Sequence, residues 1–274
     1  MTRRREIQLR LRQLREIGEI MRSMKNLALM ETHKLGRFRQ TGNQLLEVLE
    51  TAALDFLASH PQPPVPAATP AILLAIGSER GFCGEFNDQI RKVLESGQPP
   101  AAVSHIAVGS RLCGRFEECG IRHRPLAGAT IAEDLPDVLA ALGNALCEVQ
   151  PQSGMRLAAL YQDGSGEVRR KTLLPPFADH PQPRETGFPP LLYLAPDQFY
   201  REWLEHYLLA ALQAVLQQSL LAENEVRVRH LEGALQRLEE KAADLGRRNQ
   251  ALRQEEITEE IEIILLSAEG LRPS

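Results

Sequence analysis

The stretch LLAIGSERGFCGEFND, residues 73–88, sets three glycines, Gly77, Gly81 and Gly84, between an apolar run and a helix-forming segment. Loops of this kind hold phosphates by aiming backbone N–H groups from a helix N-terminus. The spacing here does not suit that chemistry. A GxxxxGK[ST] loop needs a lysine to reach the phosphates and a hydroxyl to hold Mg²⁺, and neither follows Gly84. The dinucleotide pattern GxGxxG is not met either. Glu79 and Glu85 would repel a polyphosphate. The glycines are therefore expected to make tight turns that let the loop pack closely, and no cofactor is expected.

Other residues with chemical potential are scattered. The four cysteines (Cys83, Cys113, Cys119, Cys147) form no CxxC pair, and the seven histidines form no HxxxH pair. Reduced thiols are expected, with no metal site. No Ser-His-Asp set and no usefully spaced carboxylate pair stands in the middle of the chain, so an enzyme is not expected. The net charge of −4 and pI near 6.0 give no overall attraction for nucleic acid. No apolar run approaches the length of a membrane span. The arginine-rich start lacks the apolar core of a secretory leader, and none is expected.

Proline maps the elements that must position these residues. Of 18 prolines, 17 lie between Pro61 and Pro196. A proline costs about 3 kcal/mol inside a helix, so residues 3–58 and 197–270 are free to be continuous helices. Both arms carry apolar residues at steps of three and four. In the second arm they are Leu231, Leu235, Leu238, Ala242, Leu245 and Leu252, interrupted by Asn249. In the first they are Ile7, Leu11, Leu14, Met21, Met24 and Ala28, interrupted by Gly18. These are heptad seams. At 1.5 Å per residue the arms would be roughly 84 and 110 Å long, against a radius of gyration of about 14 Å for the middle segment. Such helices are expected to pair and project.

Charge supports the pairing. Residues 1–40 carry eleven Lys/Arg against four Glu, and residues 219–262 carry seven against eleven Asp/Glu. An antiparallel hairpin brings the opposite signs together. A solvated basic face is another reading of the first arm. A nucleic-acid arm is a third, weakened by the lack of aromatic residues for stacking.

The middle reads as strands and helices in alternation. AILLAIG (71–77) and SHIAVG (104–109) read as buried strands, followed by helices near 87–96 and ending near Gly120. A third helix is expected over 133–149. RLAALY and VRRKTLL, joined by QDGSGE, read as a hairpin. LLYL (191–194) reads as a last strand, and Asp197 as the N-cap of the long helix. The fold class is α/β: two long terminal helices in an antiparallel coiled coil, plus a small, mostly parallel central domain. The expected division is an N-terminal coiled-coil helix over 1–60, a Rossmann-like domain over 70–195, and a C-terminal helix with an apolar tip over 196–274.

That tip is distinctive. The second arm outruns the first by about 18 residues, roughly 27 Å. Its end reads ITEEIEIILLSAEGL, in which Ile263, Ile264, Leu265 and Leu266 are consecutive. Four neighbours on a helix face all directions. The periodic set Ile257, Ile261, Ile264, Ala268 is also out of step with the seam that ends at Leu252. A surface so apolar calls for something to surround it.

SERGFCGEFN resembles the S-D-R-G-L-C-G-x-x-N signature of the gamma subunit of F-type ATP synthases. RQEEITEEI (Arg253–Ile261) is similar to that family's R-Q-x-x-I-T-x-E-I segment, and IMRSMKNLALME, more loosely, to its I-T-K-A-M-x-M-V-A helix. The order helix, α/β domain, helix agrees over the whole chain. The resemblance implies a non-catalytic central-stalk rotor that couples transmembrane ion flow to ATP synthesis or hydrolysis. Its implied partners are the alpha and beta subunits of the catalytic ring, an epsilon subunit, and the membrane c-ring at the foot. One copy would serve each complex, peripheral to the cytoplasmic face of a bacterial inner membrane. Arg22, Met24, Lys25, Arg253, Gln254, Thr258 and Glu260 would touch the ring. Ile261, Ile264, Leu265 and Ala268 would form an apolar bearing. Gln250 stands where the family has Asn, Ile263 where it has Glu, and IGEI where it has T-x-K-I. These departures suggest a divergent branch, such as an alternative bacterial ATPase. The other reading is a coiled-coil adaptor or scaffold with a non-catalytic α/β domain.

Overall fold

The computed structural model describes residues 3–61, 71–96, 103–148, 156–177 and 190–269, without the side chains of Arg3 and residues 266–269. Two compact units emerge: Ala28–Val228, and Met1–Leu27 with Arg229–Ser274. The helices α1 (Arg3–Ser59) and α5 (Pro196–Glu269) each contribute to both. The fold is the expected mixed α/β class, with long terminal helices in an antiparallel coiled coil and a central, mostly parallel sheet.

In the larger unit the elements between the long helices run β1 (Ala71–Ile76), α2 (Phe86–Ser96), β2 (Val103–Val108), α3 (Ser110–Glu118), β3 (Arg124–Leu126), α4 (Leu135–Glu148), β4 (Arg156–Gln162) and β5 (Val168–Leu174). The sheet order is β3-β2-β1-β4-β5, parallel except for β5. β1 is apolar throughout because both of its faces are covered, as central parallel strands require. Ile72, Leu74 and Ile76 pack in one core with residues of α1, α4 and α5. Leu73 and Ala75 pack in the other with Phe86, Ile90, Leu112 and Phe116 of α2 and α3. Both sheet edges are blunted against further pairing. β3 is three residues long with Pro125 at its centre, and β5 carries Arg169, Arg170 and Lys171.

Within this unit α1 and α5 run antiparallel, with Leu35, Leu46, Ala53 and Phe56 of α1 and Trp203, Tyr207, Ala211 and Val215 of α5 all buried. Trp203 Nε1 donates to the Leu49 carbonyl at 2.9 Å. Trp203 stacks on both Phe177 and Tyr207, with centroids 5.9 and 5.1 Å away.

Two sequence expectations are corrected here. LLYL is not a strand: residues 191–194 are irregular, with Leu191 83% and Tyr193 94% exposed. The run is bracketed by Pro190 and Pro196, and the charged β5 and proline-bearing β3 edges offer it no partner. Asp197 is not the N-cap. Pro196 opens α5, and the carbonyl of Ala195 accepts the first helical bond, from Phe199 N at 2.9 Å. Proline suits this first position because its missing N–H would be unpaired there anyway. β3 was not foreseen, since RPL has neither length nor alternation.

In the smaller unit the two helix portions also run antiparallel. Arg4 Nη1 meets Glu256 Oε2 at 2.6 Å, Arg22 Nη2 meets Glu239 Oε1 at 2.8 Å, and Lys25 Nζ meets Glu232 Oε1 at 3.5 Å. Between them, Met21, Leu231 and Leu235 form a small buried core flanked by Met24, Ala234 and Leu238. Gly18 is a close approach: a Cβ there would lie 3.4 Å from Leu238 Cδ2. The seam read from sequence is thus the observed one. Because Arg4 lies opposite Glu256 and α5 continues to Glu269, the overhang is roughly 20 Å, shorter than chain lengths alone suggest. The register, not the relative length of the arms, sets it.

Asn249 sits in this seam with its Oδ1 buried and unpartnered. An unsatisfied buried acceptor costs about 1–3 kcal/mol. Asn249→Leu is expected to raise the thermal unfolding midpoint, by the equivalent of about 1 kcal/mol, measured by circular dichroism. A midpoint that stays or falls would show that Oδ1 is satisfied in solution.

Candidate functional site

The glycine loop connects β1 to α2, and its geometry explains its residue types. Ser78 N donates to Asn87 Oδ1 at 2.9 Å, and Asn87 Nδ2 returns a bond to Ser78 Oγ at 2.8 Å, closing the loop across its base. Glu79 reaches the other way. Its carboxylate accepts from Ser110 N (2.8 Å), Ser110 Oγ (2.6 Å) and Gly128 N (2.7 Å). The N-terminus of α3, like that of any helix, favours an anion. Here it holds the chain's own carboxylate. Two glycines make room for this. A Cβ on Gly77 would lie 2.5 Å from Leu112 Cβ, and Gly109 has φ +108 with the Gly77 carbonyl 2.7 Å from where its Cβ would be. Phe82 (φ 65) and Gly84 (φ 55) carry the loop through left-handed conformations.

A second set of contacts ties the loop to α5. Arg227 Nε donates to the Gly81 carbonyl (3.2 Å), Nη1 to Asn224 Oδ1 (2.8 Å), and Nη2 to Cys83 Sγ (3.2 Å) and to Glu223. Both charged side chains are buried, at 3% and 5% exposure. Burial pushes the Glu223 carboxyl up, to about 7, against the pull of Arg227. Burial, and the Glu223 charge, push the Cys83 thiol up to about 11, so it is protonated and unreactive near neutral pH.

The residues marked in sequence for partner contact all fall in the smaller unit, in two separate places. Arg22 and Lys25 are already paired with Glu239 and Glu232 of α5, and Met24 is half-buried against the seam. Arg253, Gln254, Thr258 and Glu260 are exposed, with Thr258 Oγ1 turned onto the Gln254 carbonyl at 2.9 Å. Glu239, opposite Arg22, lies roughly 20 Å along α5 from Arg253. Ile261, Ile264 and Leu265 are more than half exposed, as is Ile263 at 66%. The side chain of Ala268 lies outside the described residues. Sequence reasoning held Asn87 only as the last residue of the signature, and missed Glu223 and Arg227 altogether. The available signal was a Glu–Arg pair four apart in LLAENEVRV, which reads as an ordinary surface pair until burial is known.

A family model described as ATP synthase matches residues 3–271. The chain belongs to the gamma-subunit family of ATP synthases. No curated protein matches it by direct sequence comparison. Among solved structures, this gamma-family chain is similar to one in the Euglena gracilis mitochondrial ATP synthase, OSCP/F1/c-ring, in rotational state 3. There the TM-score is 0.71 at 16% identity, over 98% of this chain and 94% of that one. A chain of the Euglena gracilis rotor in rotational state 1 gives 0.66 at 16% identity, over 93% and 98%. A chain of the Tetrahymena thermophila mitochondrial ATP synthase central stalk and c-ring gives 0.56 at 16% identity, over 78% and 99%. These likenesses are of fold. Set beside them, the signature loop is a fastening inside the α/β unit of a gamma-family chain.

Glu79 offers a direct test. Burial raises its pKa, but the bonds from Ser110 and Gly128 outweigh burial and hold the carboxyl below its ordinary value. Its stabilisation is therefore full above the unfolded carboxylate pKa and is lost as pH falls through the folded one. Glu79→Ala is expected to cost about 1–3 kcal/mol at neutral pH, with the gap to wild type closing on the acid side. Denaturant melts across pH would show it, and a gap that is constant with pH would contradict the assignment.

Proposed function

We propose that the chain is the rotating central-stalk subunit of an F-type ATP synthase, coupling ion flow through a membrane sector to ATP synthesis or hydrolysis in an alpha/beta ring. Family membership makes it a non-catalytic part of the complex. In this reading residues 1–60 and 196–274 form the shaft, and residues 70–195 form the foot on an epsilon subunit and the c-ring. One copy turns in each complex. Association with the cytoplasmic face of a bacterial inner membrane runs through those partners. Among the described residues no helix is long and apolar enough to cross a membrane.

The observation that carries the reading is the end of α5. Ile257, Ile261, Ile263 and Leu265 are 45–66% exposed on a helix that continues past Arg4–Glu256, its last ion pair with α1 among the described residues. Ile17, Ile20 and Leu27 of α1 are exposed as well. Apolar contact has no preferred direction, so a ring closing on this end holds it laterally without fixing one angle. Ile261, Ile264, Leu265 and Ala268 then serve as the bearing. Arg253, Gln254, Thr258 and Glu260, with Arg22, Met24 and Lys25 further along the hairpin, supply the angle-dependent contacts. For Arg22 and Lys25 this means exchanging Glu239 and Glu232 for acidic groups of the ring. These are exposed pairs worth at most about 1 kcal/mol each, so the exchange is inexpensive.

Co-expression with alpha and beta subunits is the test. A stable complex whose Mg-ATP hydrolysis depends on this chain is expected, and a ring indifferent to the chain would favour a scaffold role. Deleting residues 263–274 is expected to weaken assembly on the order of tenfold or more, since each buried Ile or Leu contributes about 1.5–3 kcal/mol. Turnover per assembled complex should change far less. Unchanged assembly would remove the bearing.

A further inference from the structure

The signature loop and the helix that carries the tip are joined by a buried charge pair, which is an expensive way to join them. From Ala211 to Asn224 nearly every residue of α5 is buried, and most of the packing is apolar. Into this helix the chain sets Glu223 and Arg227, desolvated and paired. Replacing a buried ion pair by well-packed apolar side chains is often neutral or stabilising, so stability alone does not account for it. What the pair adds is direction. Apolar packing tolerates rotation of a helix about its own axis. The guanidinium is a rigid planar fork, and here three of its nitrogens bond to Gly81, Asn224, Cys83 and Glu223.

The far side of this joint is also fixed. Arg227 grips the loop at the Gly81 carbonyl and at Cys83 Sγ. Glu79 is fastened to Ser110 and Gly128, and Ser78 to Asn87. A chain of directional bonds thus runs from α5 through the loop to the starts of α2 and α3. Phe82 keeps its left-handed backbone inside this set, a conformation that persists only where the surroundings over-determine it.

We propose that Arg227, oriented by Glu223, is a torsional lock. It fixes the rotation of α5 about its axis relative to the sheet, so that torque carried along α5 reaches the α/β unit without slip. This rests on the rotor reading. Arg227 and Glu223 are positioning residues, since they touch no reacting group.

The test is made on the assembled, membrane-bound complex and compares ion pumping with ATP hydrolysis. The double variant Glu223→Gln/Arg227→Met removes both charges and keeps side-chain volume. Its hydrolysis is expected to stay within about twofold of wild type, while ions pumped per ATP fall several-fold. Hydrogen exchange on the free chain should show faster exchange at the amides of residues 79–84. Arg227→Lys, which keeps the charge and loses the fork, is expected to stay poorly coupled. A double variant that pumps at the wild-type ratio would overturn the lock, as would full coupling in Arg227→Lys. If the double variant does not fold, Glu223→Gln alone gives the same readout: a lowered ratio supports the lock and an unchanged one overturns it. Should the wild-type chain itself fail to support coupled pumping, it is the rotor reading that falls.

Discussion

Helices of 57 and 74 residues exceed what a central domain of this size can cover, so where the sheet does not reach they must be buried on each other. Everything else follows from that constraint. A seam of one apolar or small residue every three or four positions is what two such helices can share. Where the seam meets the sheet, α5 is apolar almost all round. Where it faces only α1, as at Met21, Leu231 and Leu235, polar residues return to the outer face. The hydrophobic pattern of α5 therefore records, residue by residue, how many neighbours surround it.

Apolar seams hold helices together but specify register poorly, and the polar groups divide that task. Arg4–Glu256, partly buried, and Arg22–Glu239, exposed, have modest energetic weight, yet their signs disfavour a parallel arrangement or a large slip. In the α/β unit the marking is stronger and costlier, through the desolvated Glu223–Arg227 pair and the carboxylate of Glu79 at the start of α3. Non-directional burial supplies the energy, and a few directional bonds select one geometry from those that burial allows.

The legibility of these features in sequence tracks their locality. β1 and β2 were readable because a strand covered on both faces is a continuous apolar run. The hairpin of β4 and β5 was readable from DGSG, and the helices from period and proline. LLYL was misread because an apolar tetrapeptide has the same composition whether or not a strand edge awaits it. Asp197 was misread because a favourable capping residue lost to a proline one place earlier. The loop was judged unsuited to phosphate for its acidic residues, but sequence did not reveal that Glu79 fills the anion position. Arg22, Met24 and Lys25 were marked for a partner, and the fold shows Arg22 and Lys25 held by carboxylates of α5 more than 200 residues away.

By itself the sequence determined the long helices and most of the central elements, the two seams, the family motifs and the exposed apolar end. All of these are written in residues within a few turns of one another, where periodicity and propensity act. Only the tertiary structure decided the sheet order, the register of the helix pair and hence the length of its overhang, and the partners of Glu79, Glu223 and Arg227. A charged side chain on a helix carries no local sign of whether water or a distant loop will meet it. Burial, set by the assembled fold, makes that choice and turns an i,i+4 pair that looks like surface into the fastening between helix and sheet.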